Sequence, residues 1–288
     1  GAGSACGKNM SKETTDTLGH QKEVNYALNP ALNKEEFIKA ILTGLTPPPG
    51  YFPKNVLMNI QGYESLDTVL ERGHKALTAE NFEMVANETN ALVLDTRNAT
   101  DFANGFIPNS INIGLDGSFA QWVGEMIPDI KQEILLVSNP GYEDEAMISL
   151  SRVGYDGSIG YLEGGFDAWK KAGKEVDTVK RITAEQFATI HENEKPLTID
   201  IRKKSEFQSQ HITDAVNIPL NEINNHLAEF PKDKPFILHC AGGYRSMIAA
   251  SMLKQRGWDN FSDVIGGFTE IAKTNVPKSE YICPSTML

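Results

Sequence analysis

Cysteine is scarce in this chain: Cys6, Cys240 and Cys283 are the only three in 288 residues. So odd and sparse a set argues against a disulfide framework. It fits a reducing compartment in which one thiol is free for chemistry. Long apolar runs are missing too, and none approaches the ~20 residues of a membrane-spanning helix. The opening stretch GAGSACGKNM has neither a basic n-region nor an apolar h-region, so no secretory signal is visible in it. The expected location is cytoplasmic. Basic residues are outnumbered, 27 Lys and Arg against 38 Asp and Glu, for a net charge of -11. A general nucleic-acid binder is excluded, because phosphates need neutralising, and so is a binder of anionic membrane. No H-x-H or D-H pair occurs, so no metal site is read in the chain.

What remains is ordinary folded protein, 40% hydrophobic and 23% charged. The length is too great for one small domain and right for about two. Self-similarity shows how it divides. LVLDTRNATDFANGFIPNSINI at 92–113 aligns without a gap to LTIDIRKKSEFQSQHITDAVNI at 197–218. Asp95 matches Asp200, Arg97 matches Arg202, Asp101 matches Glu206 and Phe102 matches Phe207. Two further blocks follow in the same order, LLVSNPGYEDEA with ILHCAGGYRSMI and LEGGFDAW with VIGGFTEI. The chain thus holds two copies of one domain behind an N-terminal segment.

Each copy reads as α/β. Short apolar runs at Ala91–Asp95, Ile134–Val137, Leu197–Asp200 and Phe236–His239 predict buried strands. Thr78 and Thr183 predict helix starts, with Gln186 placed to complete a capping box. Met247–Gly257 predicts a helix that stops at its glycine. Alternating strands and helices predict a mostly parallel sheet flanked by helices, with ligands beyond the C-terminal strand ends. In the N-terminal segment, Asn33–Thr43 predicts a helix with Asn33 as N-cap and Glu36 at N3. Pro47–Pro53 predicts an extended linker.

Cys240 falls where such a sheet places chemistry, in FILHC-AGGYR-SMIAASML: strand, glycine-bearing loop, helix. Gly242 and Gly243 permit the dihedrals that turn successive N–H groups inward, which makes an anion-binding nest. The helix N-terminus and Arg245 add positive potential. Such surroundings favour a thiolate and seat an anionic substrate beside it. His239 reads as structural, facing the other side of the strand. Ser246 reads as a helix cap, with donation to the anion as the alternative. The first copy has Ser138 and Glu143 where the second has Cys240 and Arg245, and Pro140 removes a loop N–H. It reads as a structural or partner-contacting domain. Asp200 and Arg202 recur in that copy as Asp95 and Arg97, which predicts a shared internal ion pair.

The two D-x-R…F…N-I blocks, the C-A-G-G-Y-R-S loop and the G-G-F segments resemble tandem rhodanese domains across about residues 76–277. Cys, four residues, Arg is the sulfurtransferase-length loop. Related phosphatases of the cell-division-cycle type carry one residue more. The resemblance implies that only the second copy is active. Cys240 would accept a sulfane sulfur as a persulfide, and Ala241, Gly242, Gly243, Tyr244, Arg245 and Ser246 would hold the anion. The implied partners are a small-molecule sulfur donor, such as thiosulfate or a persulfide, and a thiol or cyanide acceptor. A homo-oligomer is compatible with this. Residues 1–75 resemble the C-terminal end of a metallo-β-lactamase-fold domain of the persulfide dioxygenase type. In that family a metal-binding His stands directly before the Gly-Ala-Gly-Ser stretch, and here the sequence begins at Gly1. The expectation is a piece of a lactamase–rhodanese–rhodanese fusion, with no cofactor held by these residues. The expected division is 1–75 for that remnant and linker, 76–177 for the inactive copy and 178–288 for the active one. The rival readings are a phosphatase or arsenate reductase, and a non-enzymatic sensing or interaction module.

Overall fold

The computed structural model describes residues 15–42 and 51–282. Cys6 and Cys283 lie outside the described residues, as do Thr43 and Pro47–Gly50. In the N-terminal unit, helices α1 (Leu18–Val24) and α2 (Lys34–Leu42) flank a single 3-10 turn at Tyr26–Leu28. The predicted cap of α2 forms reciprocally. Glu36 N–H donates to Asn33 Oδ1 at 2.9 Å, and Asn33 N–H donates to Glu36 Oε2 at 3.0 Å.

The expected linker is corrected at its described end, where helix α3 (Phe52–Gln61) begins. Pro53 stands in its first turn, where the missing N–H breaks no hydrogen bond and φ is already helical. Helix α4 (Leu66–Gly73) follows behind its Ser65 cap. Both helices pack on the first copy. A Cβ on Gly154 would lie 2.8 Å from Met58 Sδ, and Gly73 is closed in by Met147 and Ser158. Lys54 Nζ donates to Pro128 O at 2.7 Å. Residues 51–75, grouped by sequence with the N-terminal remnant, therefore lie against the first sheet.

The first copy runs β1 (Ala76–Leu77), α5 (Ala79–Glu88), β2 (Leu92–Asp95), α6 (Ala99–Asn104), β3 (Ile111–Asn112) and α7 (Phe119–Met126). It continues through β4 (Ile134–Val137), α8 (Glu143–Ser151), β5 (Ser158–Leu162) and α9 (Gly165–Lys171). The second copy runs β6 (Arg181–Ile182), α10 (Ala184–Glu194), β7 (Leu197–Asp200), α11 (Lys204–Ser209) and β8 (Val216–Asn217). It ends in β9 (Phe236–His239), α12 (Tyr244–Gln255), β10 (Phe261–Val264) and α13 (Gly267–Ile271).

Each copy is a five-stranded parallel sheet, in the orders β1-β5-β4-β2-β3 and β6-β10-β9-β7-β8. The central strands β4 and β9 are buried at every position, as helices on both faces require. The fold is thus α/β, two tandem parallel sheets flanked by helices. The capping box at Thr183 and Gln186 forms as expected. Helix α12 starts three residues before Met247, and Gly257 stands just past its end with φ +83°. Its buried residues Ile248, Ala249 and Met252 share one apolar core with Ile111 and Ile113 of the first copy. Asn112 N–H donates to Ser251 Oγ at 3.0 Å across that seam. Among the described residues no helix is long and apolar enough to cross a membrane.

Candidate active site

The repeated motif residues build the same brace in both copies. Asp200 takes Arg202 Nε at 2.9 and 3.0 Å and Nη2 at 2.6 Å, while Asp95 takes Arg97 at 2.9, 3.1 and 2.5 Å. The guanidinium lies over the phenylalanine of the G-G-F segment, Phe268 at 4.0 Å and Phe166 at 4.1 Å. Asn217 Nδ2 donates to the carbonyls of Asp200 and Arg202, and Asn112 does the same for Asp95 and Arg97. These pairs are the internal ion pairs that the repeat predicts. They fix where the chain leaves β2 and β7.

Cys240 follows directly on β9 and is 1% exposed. The loop folds over it, and Gly243 N–H donates to Cys240 Sγ at 3.1 Å. Gly243 has φ +103° and precedes the first residue of α12, a backbone state that glycine adopts freely. The N–H groups of Ala241, Gly242, Tyr244, Arg245 and Ser246 find no acceptor among the described residues. These five donors without acceptors share a short loop and a helix N-terminus with Cys240, an arrangement of the kind that suits an anion. The loop is held from behind by α13: Phe268 N–H donates to Cys240 O at 2.7 Å, and Thr269 N–H to Ala241 O at 3.0 Å. Gly267 permits this approach, since a Cβ there would lie 2.4 Å from Cys240 O.

Arg245 does not stand free. Its two Nη groups donate to both oxygens of Glu206, on α11, at 2.6 and 2.8 Å. Burial works against the Glu206 carboxylate, but the Arg245 guanidinium outweighs it and holds the carboxyl below its usual range. Glu206 also accepts the N–H of Lys203 at 3.1 Å. Sequence reading missed this partner. Its signal is that only the copy with the arginine carries a glutamate at this position, against Asp101 in the other.

The remaining expected site residues are distributed as follows. Tyr244 turns away toward the first copy, where its hydroxyl donates to Gly114 O at 2.7 Å. Burial, with Asp116 adding to it, pushes that hydroxyl's pKa up and keeps it a neutral donor. Ser246 is not the helix cap. It is the third residue of α12, and its buried hydroxyl donates back to Gly243 O at 3.2 Å. Its backbone N–H is among those without an acceptor. His239 is fully buried, with Nδ1 3.1 Å from Cys240 O. Burial drives its pKa down, against the pull of Asp200 and that carbonyl. The neutral ring thus addresses a carbonyl rather than the sulfur.

The matching loop of the first copy closes on itself. Ser138 is buried, with its hydroxyl 2.8 Å from that of Thr96. Gly141 N–H, the counterpart of Gly243 N–H, donates at 2.7 Å to Glu143 Oε2. The copy's own carboxylate thus takes the N–H whose counterpart is on the Cys240 sulfur. Among the described residues no group of three or more His, Cys, Asp or Glu is arranged to hold a metal ion.

A parallel α/β domain that presents a cysteine in an amide-lined loop, doubled in one chain with the cysteine kept once, defines a narrow class. The rhodanese-like domain profile matches residues 78–172 and 183–274, together more than half of the chain. The chain belongs to the rhodanese-like family. It is 34% identical over 99 residues to thiosulfate sulfurtransferase GlpE of Pseudomonas syringae pv. syringae, covering 34% of this chain and 92% of that one. It is 30% identical over 100 residues to a sulfurtransferase of Allochromatium vinosum, covering 34% and 94%. Among solved structures, a rhodanese-related protein of Thermoplasma volcanium is 31% identical, with a TM-score of 0.32, covering 35% of this chain and 97% of that one.

Proposed function

We propose that the second copy is a sulfurtransferase working through a persulfide on Cys240. The cradle is the observation that carries this: Gly243 N–H on the sulfur, and five further loop N–H groups without acceptors. In the first half-reaction the Cys240 thiolate attacks the outer sulfur of thiosulfate. The new S–S bond forms as the old one breaks, and sulfite leaves with the electron pair. A small-molecule persulfide serves as donor in the same way, with a thiolate leaving. In the second half-reaction an acceptor thiolate attacks the outer sulfur and departs as a persulfide, or cyanide departs as thiocyanate. Cys240 thiolate is regenerated. The loop N–H groups stabilise the negative charge on sulfur at each stage, and Arg245 adds a cation oriented by Glu206. The four residues between Cys240 and Arg245 leave little room for a tetrahedral phosphate, which sets the phosphatase or arsenate reductase reading second.

The first copy is a structural and contact domain in this reading, its cradle filled by Glu143. The resemblance of residues 1–75 to a persulfide dioxygenase-type domain supports a place in sulfide and persulfide metabolism. The test is thiosulfate:cyanide sulfur transfer by the chain and by Cys240→Ala. Transfer lost with the cysteine, together with a gain of one sulfur on the Cys240 peptide by mass spectrometry, supports the assignment. Equal transfer by the two proteins overturns it. A protein that takes up no sulfur yet retains partner binding is a sensing or interaction module instead.

A further inference from the structure

Behind the loop lies a second ionic cluster that the repeat does not share. Asp263, on β10 next to the cysteine-bearing strand, is fully buried. Its Oδ2 accepts Arg181 Nε at 3.0 Å, and its Oδ1 has no hydrogen-bond partner. Arg181 and Asp263 are register partners on β6 and β10. The corresponding partners in the first copy are Ala76 and Tyr161, so the pair exists only where the cysteine does.

The guanidinium of Arg181 reaches three places at once. Nε is on Asp263. Nη1 donates at 3.2 Å to Thr100 Oγ1, a residue of the first copy. Nη2 lies against the active loop, 3.5 Å from where a Cβ of Gly243 would stand. Gly243 is the residue whose N–H holds the Cys240 sulfur and whose carbonyl takes the Ser246 hydroxyl. Ser246 in turn bears on Asp263 and favours its ionised form. The side chain of Arg181 is only 12% exposed. A planar, rigid fork suits three fixed directions, which a point charge on a flexible stem does not.

We propose that Arg181 is a positioning residue of the cysteine loop: anchored by Asp263 and Thr100, it holds Gly243 so that the loop stays closed over the Cys240 sulfur. The proposal rests on the sulfur-transfer reading for its reaction but not for its geometry. It gives the first copy a defined part, since one anchor of the active loop is a hydroxyl on α6 of the other domain.

The experiment uses the full chain with Arg181→Lys, which keeps the charge opposite Asp263, and Thr100→Val, a change at an exposed position that spares the fold. Two rates are read at one pH: sulfur uptake by Cys240 from thiosulfate, by mass, and alkylation of Cys240 by neutral iodoacetamide. Thermal unfolding is followed in parallel. A loosened loop binds the anionic donor less well and shields the sulfur less. Arg181→Lys is therefore expected to slow sulfur uptake about tenfold and to speed alkylation roughly threefold, well below its melting range. Thr100→Val shifts both rates the same way by about half as much on a logarithmic scale. Wild-type rates of both reactions in both variants overturn the proposal. If the wild type takes up no sulfur while the variants are alkylated faster, the sulfur-transfer reading falls and the positioning role stands. If the wild type transfers sulfur and alkylation is unchanged, the reverse holds.

Discussion

Arg245 and Glu206 meet fork to fork, two N–H donors on two carboxylate oxygens at 2.6 and 2.8 Å, across 39 positions of sequence. The pair is half-buried, and the side chains of Arg245 and Glu206 are 16% and 34% exposed. Removing one partner therefore does more than remove one charge.

Arg245→Ala leaves the Glu206 carboxylate facing an anion cradle with nothing to balance it. The expected loss in kcat/KM for thiosulfate is on the order of 100-fold, much of it repulsion by the orphaned carboxylate. Arg245→Ala with Glu206→Gln should regain about tenfold of that loss. Equal activity in the single and double variants would show that the two side chains do not act as a pair.

The first copy should resist simple reactivation. Ser138→Cys puts a thiol at the corresponding strand end, but Glu143 already holds Gly141 N–H at 2.7 Å. Mass measurement after exposure to thiosulfate is expected to show no sulfur on Cys at 138 in the single variant. Uptake should begin only when Glu143→Arg is added. Uptake by Ser138→Cys alone would mean that the internal carboxylate does not close the loop.

Asp263 gives a pH signature with a definite sign. Burial pushes its carboxyl up to about 6, against Ser246 and Arg181, whereas an unfolded aspartate titrates near 3.9. The folded protein therefore holds the extra proton between those values, and stability falls as pH rises from ~4 to ~6, then levels. The contribution is on the order of 3 kcal/mol. Asp263→Asn should lack that slope, so the difference between the two proteins' stability–pH curves, measured by urea unfolding, should carry it. A difference curve flat from ~4 to ~6 would place the Asp263 pKa at its ordinary value.

Much of this was legible in order of sequence. The duplication, the strands ending at Asp95, Val137, Asp200 and His239, and the loop around Cys240 are local patterns, set by apolar runs and by glycines at the turn. The shared Asp–Arg brace was legible because it occurs twice. The partners of the loop were not. Glu206 and Arg181 approach it from elements fixed only by the tertiary fold, through rotamers that no spacing encodes. Ser246 misled for a related reason: a serine near a helix start suggests a cap, but here Gly243 takes the capping position and the hydroxyl turns inward. At Pro53 the error was one of sign, since a proline that ends helices in the middle begins them in the first turn.

The ring of Tyr244 leans on two glycines of the other copy, Gly114 and Gly117, and a Cβ on the latter would lie 2.3 Å from it. A residue of the Cys240 loop thus dictates which residues an apparently idle domain can carry. The two halves are no longer interchangeable parts. Grafting an unrelated copy of the same fold in front of the cysteine-bearing half should fail unless that small-residue socket travels with it. A genetic change at 114 or 117 would surface as a disturbance of the Cys240 loop in the neighbouring domain.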